Sequence, residues 1–159
     1  ANSGAQIAAE LLLSGVETTW YTRSSPRWMP DDVDGRVLFQ RNRARLNAML
    51  RGEPDPGADS NLGDIVMVPP VLRARDSGLL QATPMFSSLD EVNTDHLIWC
   101  TGFRPALRPI RGLLAGTSPT VDGLFLVGYG TWTGPGSATI TGVSPFARQT
   151  AQAVANICD

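Results

Sequence analysis

The chain has 159 residues, 42% of them apolar and 18% charged, a globular composition long enough for one ordinary domain whose core needs no disulfide or metal staple. Its formal net charge of -2 argues against nucleic-acid binding through bulk charge. All 13 basic residues are arginines, which excludes a lysine nucleophile, a Schiff-base lysine and a P-loop lysine. Cys100 and Cys158 lie 58 positions apart, so no CxxC redox pair or cysteine zinc cluster forms, and His96 as the single histidine excludes a multi-histidine metal site. No apolar run approaches the roughly 20 residues of a membrane span, and the longest, Leu124–Val127 among them, are strand-length. The first residues lack the basic and apolar regions of a signal peptide, so a cytoplasmic protein with no membrane and no metal partner is expected.

The chain opens Ala1-Asn2-Ser3-Gly4 and runs directly into Ala5-Gln6-Ile7-Ala8-Ala9-Glu10-Leu11-Leu12-Leu13. Ile7, Ala8, Leu11 and Leu12 recur at helical spacing, which predicts a helix with these residues on its apolar face and Gly15 as its stop. Val16–Tyr21 reads as a strand with Val16, Thr18 and Trp20 on one side. The order is then glycine turn, helix, strand. That is a dinucleotide-binding unit lacking its first strand and keeping only Gly4, the last glycine of G-x-G-x-x-G. The other account of these residues is a helix capped by Asn2 or Ser3.

Arg23 lies 19 residues beyond Gly4, where an NAD-binding unit places an Asp or Glu on the ribose hydroxyls. The stretch Tyr21-Thr22-Arg23-Ser24-Ser25 holds no acid. An arginine among hydroxyls suits a 2′-phosphate, each charge-assisted hydrogen bond contributing about 1.5–3 kcal/mol. The alternative is a solvated surface arginine. From Trp20 to Arg51 seven arginines face three aspartates, a local +4 that fits a dianionic ligand or a helix face in water.

Pro26 to Pro30 breaks the pattern, after which Asp31, Asp32 or Asp34 caps a helix reaching about Leu50, with Leu46, Met49 and Leu50 on one face, an Arg41/Arg45 stripe, and Gly52 as its end. Residues 53–63, with Pro54, Pro56, Gly57 and Gly63, form a loop. Ile65–Val68 is a short apolar run stopped by Pro69-Pro70. Val71–Arg75 and Leu79–Phe86 read as two strands of a hairpin around Asp76-Ser77-Gly78, with Pro84 marking an edge or bulge. Ala115–Pro119 is the candidate crossover between domains.

The most specific stretch is His96-Leu97-Ile98-Trp99-Cys100-Thr101-Gly102-Phe103-Arg104-Pro105, an apolar strand preceded by Asp95 and ending in Thr-Gly-Phe-Arg-Pro. A second is Thr120-Val121-Asp122-Gly123-Leu124-Phe125-Leu126-Val127-Gly128-Tyr129-Gly130, followed by Gly134-Pro135-Gly136-Ser137-Ala138-Thr139. Together with Ala1–Ala8 they resemble, in order and spacing, three segments of the two-dinucleotide-binding flavoproteins, in which an NADP domain is inserted into an FAD domain. The first stretch resembles D-x-x-[IV]-x-A-T-G-[FY]-x-P, where the chain crosses back to the FAD domain. The second resembles the last FAD-contacting strand, loop and helix, and Ala1–Ala8 resembles the end of the NADP fingerprint. Tyr129 follows Gly128 where the disulfide-reductase branch has an Asp, and CxxC is missing. Both departures favour the bacterial flavin-containing monooxygenase-like branch.

The resemblance implies an α/β, Rossmann-like FAD/NAD(P)-binding fold that is incomplete: the first strand of the NADP unit and the N-terminal half of the FAD domain are absent. Residues 1–104 would be the remainder of the NADP-binding domain and 105–159 the C-terminal segment of the FAD-binding domain. The implied cofactors are FAD and NADP, contacted by Asn2, Ser3, Gly4, Thr22, Arg23, Thr101, Gly102, Gly128, Ser137, Ala138 and Thr139. In physical terms, a strand ending in Thr101-Gly102 leaves backbone open to a flat cofactor. A Gly134–Ser137 turn before the last helix offers amides and a positive helix end. Tyr129 and Trp132 read as packing, Cys100 as an inert residue of a buried strand, and His96 as structural. No catalytic acid or base is assignable. The implied activity of the parent protein is NADPH-dependent FAD oxidoreduction of the monooxygenase type on a small-molecule substrate. The alternatives are a non-oxygenating flavoprotein reductase and an inactive nucleotide-binding fragment, and the 159 residues alone are expected to be inactive. The strands Val16–Tyr21 and His96–Cys100 would flank the absent strand, so they are expected to close on each other or to be covered by self-association or by the missing N-terminal half.

Overall fold

The computed structural model describes residues 2–57 and 64–158. They fall into two units, Ala1–Leu38 with Asp59–Phe103, and Phe39–Ala58 with Arg104–Asp159.

In the first unit, helix α1 (Asn2–Leu13) packs on helix α3 (Pro69–Asp76), and strand β1 (Trp20–Thr22) pairs in parallel with strand β2 (Ala82–Pro84). The core joins Ala5, Ala8 and Ala9 of α1 to Trp20, Ile65, Met67, Val71, Ala74 and Leu80. The buried face of α1 is therefore Gly4-Ala5-Ala8-Ala9; of the expected face Ala8 is buried and Leu12 packs half-buried against the core, whereas Leu11 is only half-buried and Ile7 is exposed. Small side chains win this face because α3 approaches it closely, and longer ones would hold the two backbones apart. The stop at Gly15 (φ 79°) holds. The Gly15 amide donates to the Leu12 carbonyl and the Val16 amide to the Leu11 carbonyl, both at 3.0 Å, the paired bonds of a Schellman motif.

That motif also explains a second correction. Val16 is consumed by the helix stop, so the strand expected over Val16–Tyr21 starts only at Trp20. A third correction concerns Val71–Arg75, which is helix and not strand. Pro69 and Pro70 occupy the first turn of α3, where a missing amide costs nothing; the prolines start an element instead of stopping one. Val71 and Ala74, three apart, are fully buried, and Gly78 (φ 75°) ends the helix. No hairpin forms around residues 76–78. The chain passes from α3 to β2, whose partner is β1 with Trp20 opposite Ala82 and Thr22 opposite Pro84. Among the described residues β2 spans only three of the eight positions expected.

His96–Cys100 is likewise not a strand. Ile98 and Trp99 are 57% and 59% exposed, and Cys100 is half-buried. Strand-like composition needs a neighbour to pair with, and β1 pairs with β2 alone among the described residues. The two segments expected to close on each other do not.

Helix α2 (Gly35–Leu50) opens with Asp34 as its cap, the carboxylate accepting from the Val37 amide at 2.8 Å. It ends at Gly52 (φ 67°), with the Glu53 amide on the Ala48 carbonyl at 2.9 Å. Of the expected apolar face only Leu46 is half-buried; Met49 and Leu50 are exposed, and Ala48 is the buried residue. In the second unit Ala115–Pro119 is a tight antiparallel hairpin, β3 (Leu114–Ala115) with β4 (Ser118–Pro119) around Gly116 (φ 63°), and not a crossover. Leu124–Val127 is irregular, and the last helix, α4 (Val143–Cys158), begins six residues after Ser137. The loop after α2 is clasped by Arg45, whose guanidinium meets both Asp55 carboxylate oxygens at 2.8–3.1 Å. The rest of that loop, residues 58–63, lies outside the described residues.

Hydrogen bonds from Arg45, and then from the Gly57 amide, hold the Asp55 carboxyl below the usual carboxylate range. A carboxyl depressed in the folded state adds stability that is complete above its unfolded value and disappears as the pH falls through the folded one. Asp55→Asn should therefore be detectable near pH 7 and silent near pH 2 in urea unfolding followed by circular dichroism. An effect of equal size at both pH values would show that the clasp acts through something other than the charge.

Candidate functional site

In the first unit the expected nucleotide contacts gather at the start of α1 and the end of β1. Gly4 is buried, and a Cβ there would sit 3.2 Å from Nε1 of Trp20 and 3.3 Å from Cβ of Cys100. A Cβ would crowd both by a few tenths of an ångström, the close helix–strand packing that the last fingerprint glycine permits. Asn2 is committed to the fold: its Oδ1 accepts from the Val66 amide at 3.0 Å and from Gln6 Nε2 at 3.2 Å. Ser3 is exposed on the first turn. Thr22 is half-buried and its carbonyl accepts from the Met85 amide at 2.9 Å. Arg23 follows at the strand end, exposed and, among the described residues, without a hydrogen-bond or ion-pair partner. Arg75, by contrast, is clasped by Asp31 at 2.7 Å and Asp76 at 2.7 Å, and its pKa is raised by those hydrogen bonds.

Thr101 and Gly102 lie together past the irregular His96–Cys100 segment, both exposed. Gly102 takes φ 76°, a left-handed conformation, with open space where a Cβ would stand.

In the second unit Gly128, Ser137, Ala138 and Thr139 are brought together by a chain of left-handed glycines, Gly128, Gly130, Gly134 and Gly136. A Cβ on Gly134 would run into the Phe146 ring, which anchors the turn to α4, and one on Gly142 into the Gly136 carbonyl. Ser137 is the fully buried polar side chain of this region. Its hydroxyl donates to the Gly130 carbonyl at 2.7 Å and meets the Thr133 hydroxyl at 2.7 Å. The Ser137 amide donates to Gly134, so it is not free for a ligand as the sequence suggested. The Thr139 hydroxyl donates to the Gly136 carbonyl and accepts from the Gly142 amide at 3.0 Å. Gly128 keeps open backbone, with only the Ser137 carbonyl 3.9 Å from where a Cβ would stand. Among the described residues the Gly128 and Ala138 amides have no protein acceptor. Tyr129 and Trp132 stack on each other, centroids 5.7 Å apart and 12° from parallel. Sequence reasoning passed over Thr133 and Gly142, which hold this turn. The Gly-x-Gly-Ser run was legible; the residues that its carbonyls select were not.

No family model matches the chain, and no curated protein matches it. Among solved structures it is similar to a flavin monooxygenase from Stenotrophomonas maltophilia, a double mutant, with a TM-score of 0.63 and 38% identity over 99% of this chain and 48% of that one. The chain is flavin monooxygenase-like. It spans about half the length of that structure. The likeness gives it a Rossmann-type flavoprotein fold, although its sheet among the described residues is confined to two short pairs. No helix of this flavin monooxygenase-like chain, among the described residues, is long and apolar enough to cross a membrane.

Ser137→Ala in the flavin monooxygenase-like chain should remove the buried hydrogen bonds to the Gly130 carbonyl and the Thr133 hydroxyl, both of which keep other partners within the turn, at a cost of about 0.5–1.5 kcal/mol. Chemical unfolding read through tyrosine and tryptophan fluorescence measures it. A change below about 0.5 kcal/mol, within the range of ordinary surface substitutions, would mean that water replaces the hydroxyl.

Proposed function

We propose that this chain is part of an NADPH-dependent FAD oxidoreductase of the monooxygenase type acting on a small-molecule substrate. The likeness to a flavin monooxygenase over 99% of the chain carries the reading. The residues present fit the cofactors at two places. Arg23, exposed and partner-free among the described residues and followed by Ser24 and Ser25, has the charge and donors for a 2′-phosphate. Ser3 stands on the first turn of α1, where a helix favours negative charge. In the second unit the open backbone of Gly128 and the unpaired Gly128 and Ala138 amides suit a flat, electron-rich or anionic group. Thr101 and Gly102 present exposed backbone of the same kind.

The chemistry belongs to the bound cofactors, hydride transfer from NADPH to FAD and passage of the electrons to oxygen and substrate. The chain's own residues bind and orient. Arg23 selects the phosphorylated nucleotide, Gly4 keeps α1 seated on Trp20 and Cys100, and Ser137 with Thr133 fixes the glycine turn. The hydroxyls of Ser137 and Thr139 are engaged within the turn, so in this reading they shape the flavin contact instead of donating to it. With few free donors there, the 159 residues alone would bind FAD weakly and be inactive.

Two measurements test this. Fluorescence titration with NADPH and NADH should show Arg23→Ala weakening NADPH by about 10- to 100-fold, the loss of one to two charge-assisted bonds, with NADH unchanged. Equal weakening of both removes Arg23 from a phosphate site, and no binding of either nucleotide counts against the reading. The purified chain should be colourless, whereas a yellow stoichiometric flavoprotein would show that residues 128–139 suffice for FAD.

A further inference from the structure

Charge is divided unevenly between the two units. The first carries five arginines against eleven carboxylates, the second eight arginines against four. Within the second unit Arg45 is clasped by Asp55, and Arg51 pairs with Glu53 at 2.9 Å. Arg104, Arg108 and Arg111 are exposed and, among the described residues, have no ion-pair or hydrogen-bond partner. No acid stands in the sequence between Asp95 and Asp122. The backbone sets these three arginines in order. The Ile110 amide donates to the Leu107 carbonyl at 3.0 Å and the Leu113 amide to the Ile110 carbonyl at 2.9 Å, two consecutive turns closed over three residues each. Arg108 and Arg111 occupy the same position of the two turns, and at this period residues three apart stand above one another. The Leu107 amide donates to the Pro105 carbonyl at 3.0 Å, so the chain tightens directly after Arg104. Pro105 and Pro109 fix φ next to Arg104 and Arg108. The Thr120 amide, just past β4, donates to the Leu113 carbonyl at 2.8 Å and ties the second turn to the hairpin. Like charges at neighbouring positions repel, and no described carboxylate offsets them here.

We propose that the turns from Arg104 to Arg111 form a binding site for a compact diphosphate group, with Arg108 and Arg111 as its principal donors and Arg104 beside them. A planar guanidinium fork matches phosphate oxygens two at a time. Two forks on consecutive turns suit two linked phosphoryl groups better than a lone carboxylate. The ligand is compact because the chain's net charge of -2 opposes an extended polyanion or an anionic membrane. A small ion instead feels the local patch, within a Debye length of about 10 Å at 0.1 M salt. The proline-braced backbone lowers the cost of ordering the site around its ligand. The site shares no residue with the cofactor contacts proposed above and depends on no flavin.

Isothermal titration of the chain with inorganic pyrophosphate tests this. Expected is one saturable site that weakens as salt rises. Arg108→Gln and Arg111→Gln should each weaken it about 10-fold, the loss of one charge-assisted bond, with the far-ultraviolet spectrum unchanged. Arg43→Gln and Arg148→Gln, at equally exposed positions of the same unit, should leave the affinity unchanged, and so should Arg23→Ala. ADP in place of pyrophosphate separates the sources of the group. Tighter ADP binding that still depends on Arg108 and Arg111 assigns the site to a nucleotide, equal binding assigns it to a free diphosphate, and both sustain it. No saturable binding overturns the proposal. Sulfate bound as tightly as pyrophosphate, or losses as large in Arg43→Gln as in Arg111→Gln, overturns it by reducing the patch to unspecific charge. Binding to phosphatidylglycerol vesicles with none to pyrophosphate overturns it in favour of a membrane surface. Binding lost in Arg23→Ala but kept in Arg111→Gln overturns it in favour of the cofactor phosphate site, so the two readings fail separately.

Discussion

The first unit depends on how closely α1 can sit on its neighbours. Gly4 meets Trp20 and Cys100 with no side chain between, and Ala5, Ala8 and Ala9 continue that flat face against Val71 and Ala74 of α3. Interiors are packed as densely as organic crystals, so the width of this face fixes the positions of β1, of α3 and of the segment leading to Thr101. The Asn2 side-chain oxygen Oδ1 adds a second restraint by accepting from the Val66 amide, 64 residues away in sequence, and so registers the helix start against the buried Ile65–Met67 run. A start of helix fixed in this way presents its first turn in a constant direction, which a site for a charged group requires.

The second unit reaches the same end by different means. Its candidate surface is a succession of glycine turns with almost no regular structure around it, stabilised by hydroxyls folded inward. Ser137, Thr133 and Thr139 bond to carbonyls and amides of the turn itself, while Phe146 fills the space that a side chain at Gly134 would need. The backbone is held so that Gly128 and Ala138 remain open. Polar residues near a ligand surface can thus serve by being satisfied elsewhere.

What could be read in the sequence was local. Gly15 and Gly52 as helix stops, Asp34 as a cap and the helical character of residues 2–13 depend on residues within a few positions, and the structure has them. The assignment to a flavin monooxygenase-like chain came from motif order, which does not depend on local geometry. What failed needed information from distant residues. Ile7 lost the buried face to alanines because α3 required proximity. Val71–Arg75 became helix because two prolines can open a helix as readily as they end an apolar run. His96–Cys100 has the composition of a strand, but composition supplies no hydrogen-bonding partner. The Gly130 carbonyl that recruits both Thr133 and Ser137 leaves no periodic trace.

Because every cationic side chain is a guanidinium, the ion pairs sort the arginines into chemical classes. Arg45 and Arg75 each sit in a two-pronged grip of carboxylate oxygens, whereas Arg23 stands in water. Reagents that condense with guanidinium groups through vicinal carbonyls attack the second kind faster, since a clasped fork must first be released. Amine-directed labels have no lysine to find. The chain thus carries a built-in contrast in which mild arginine modification reaches exposed arginines, Arg23 among them, while the clasps that hold the loops persist.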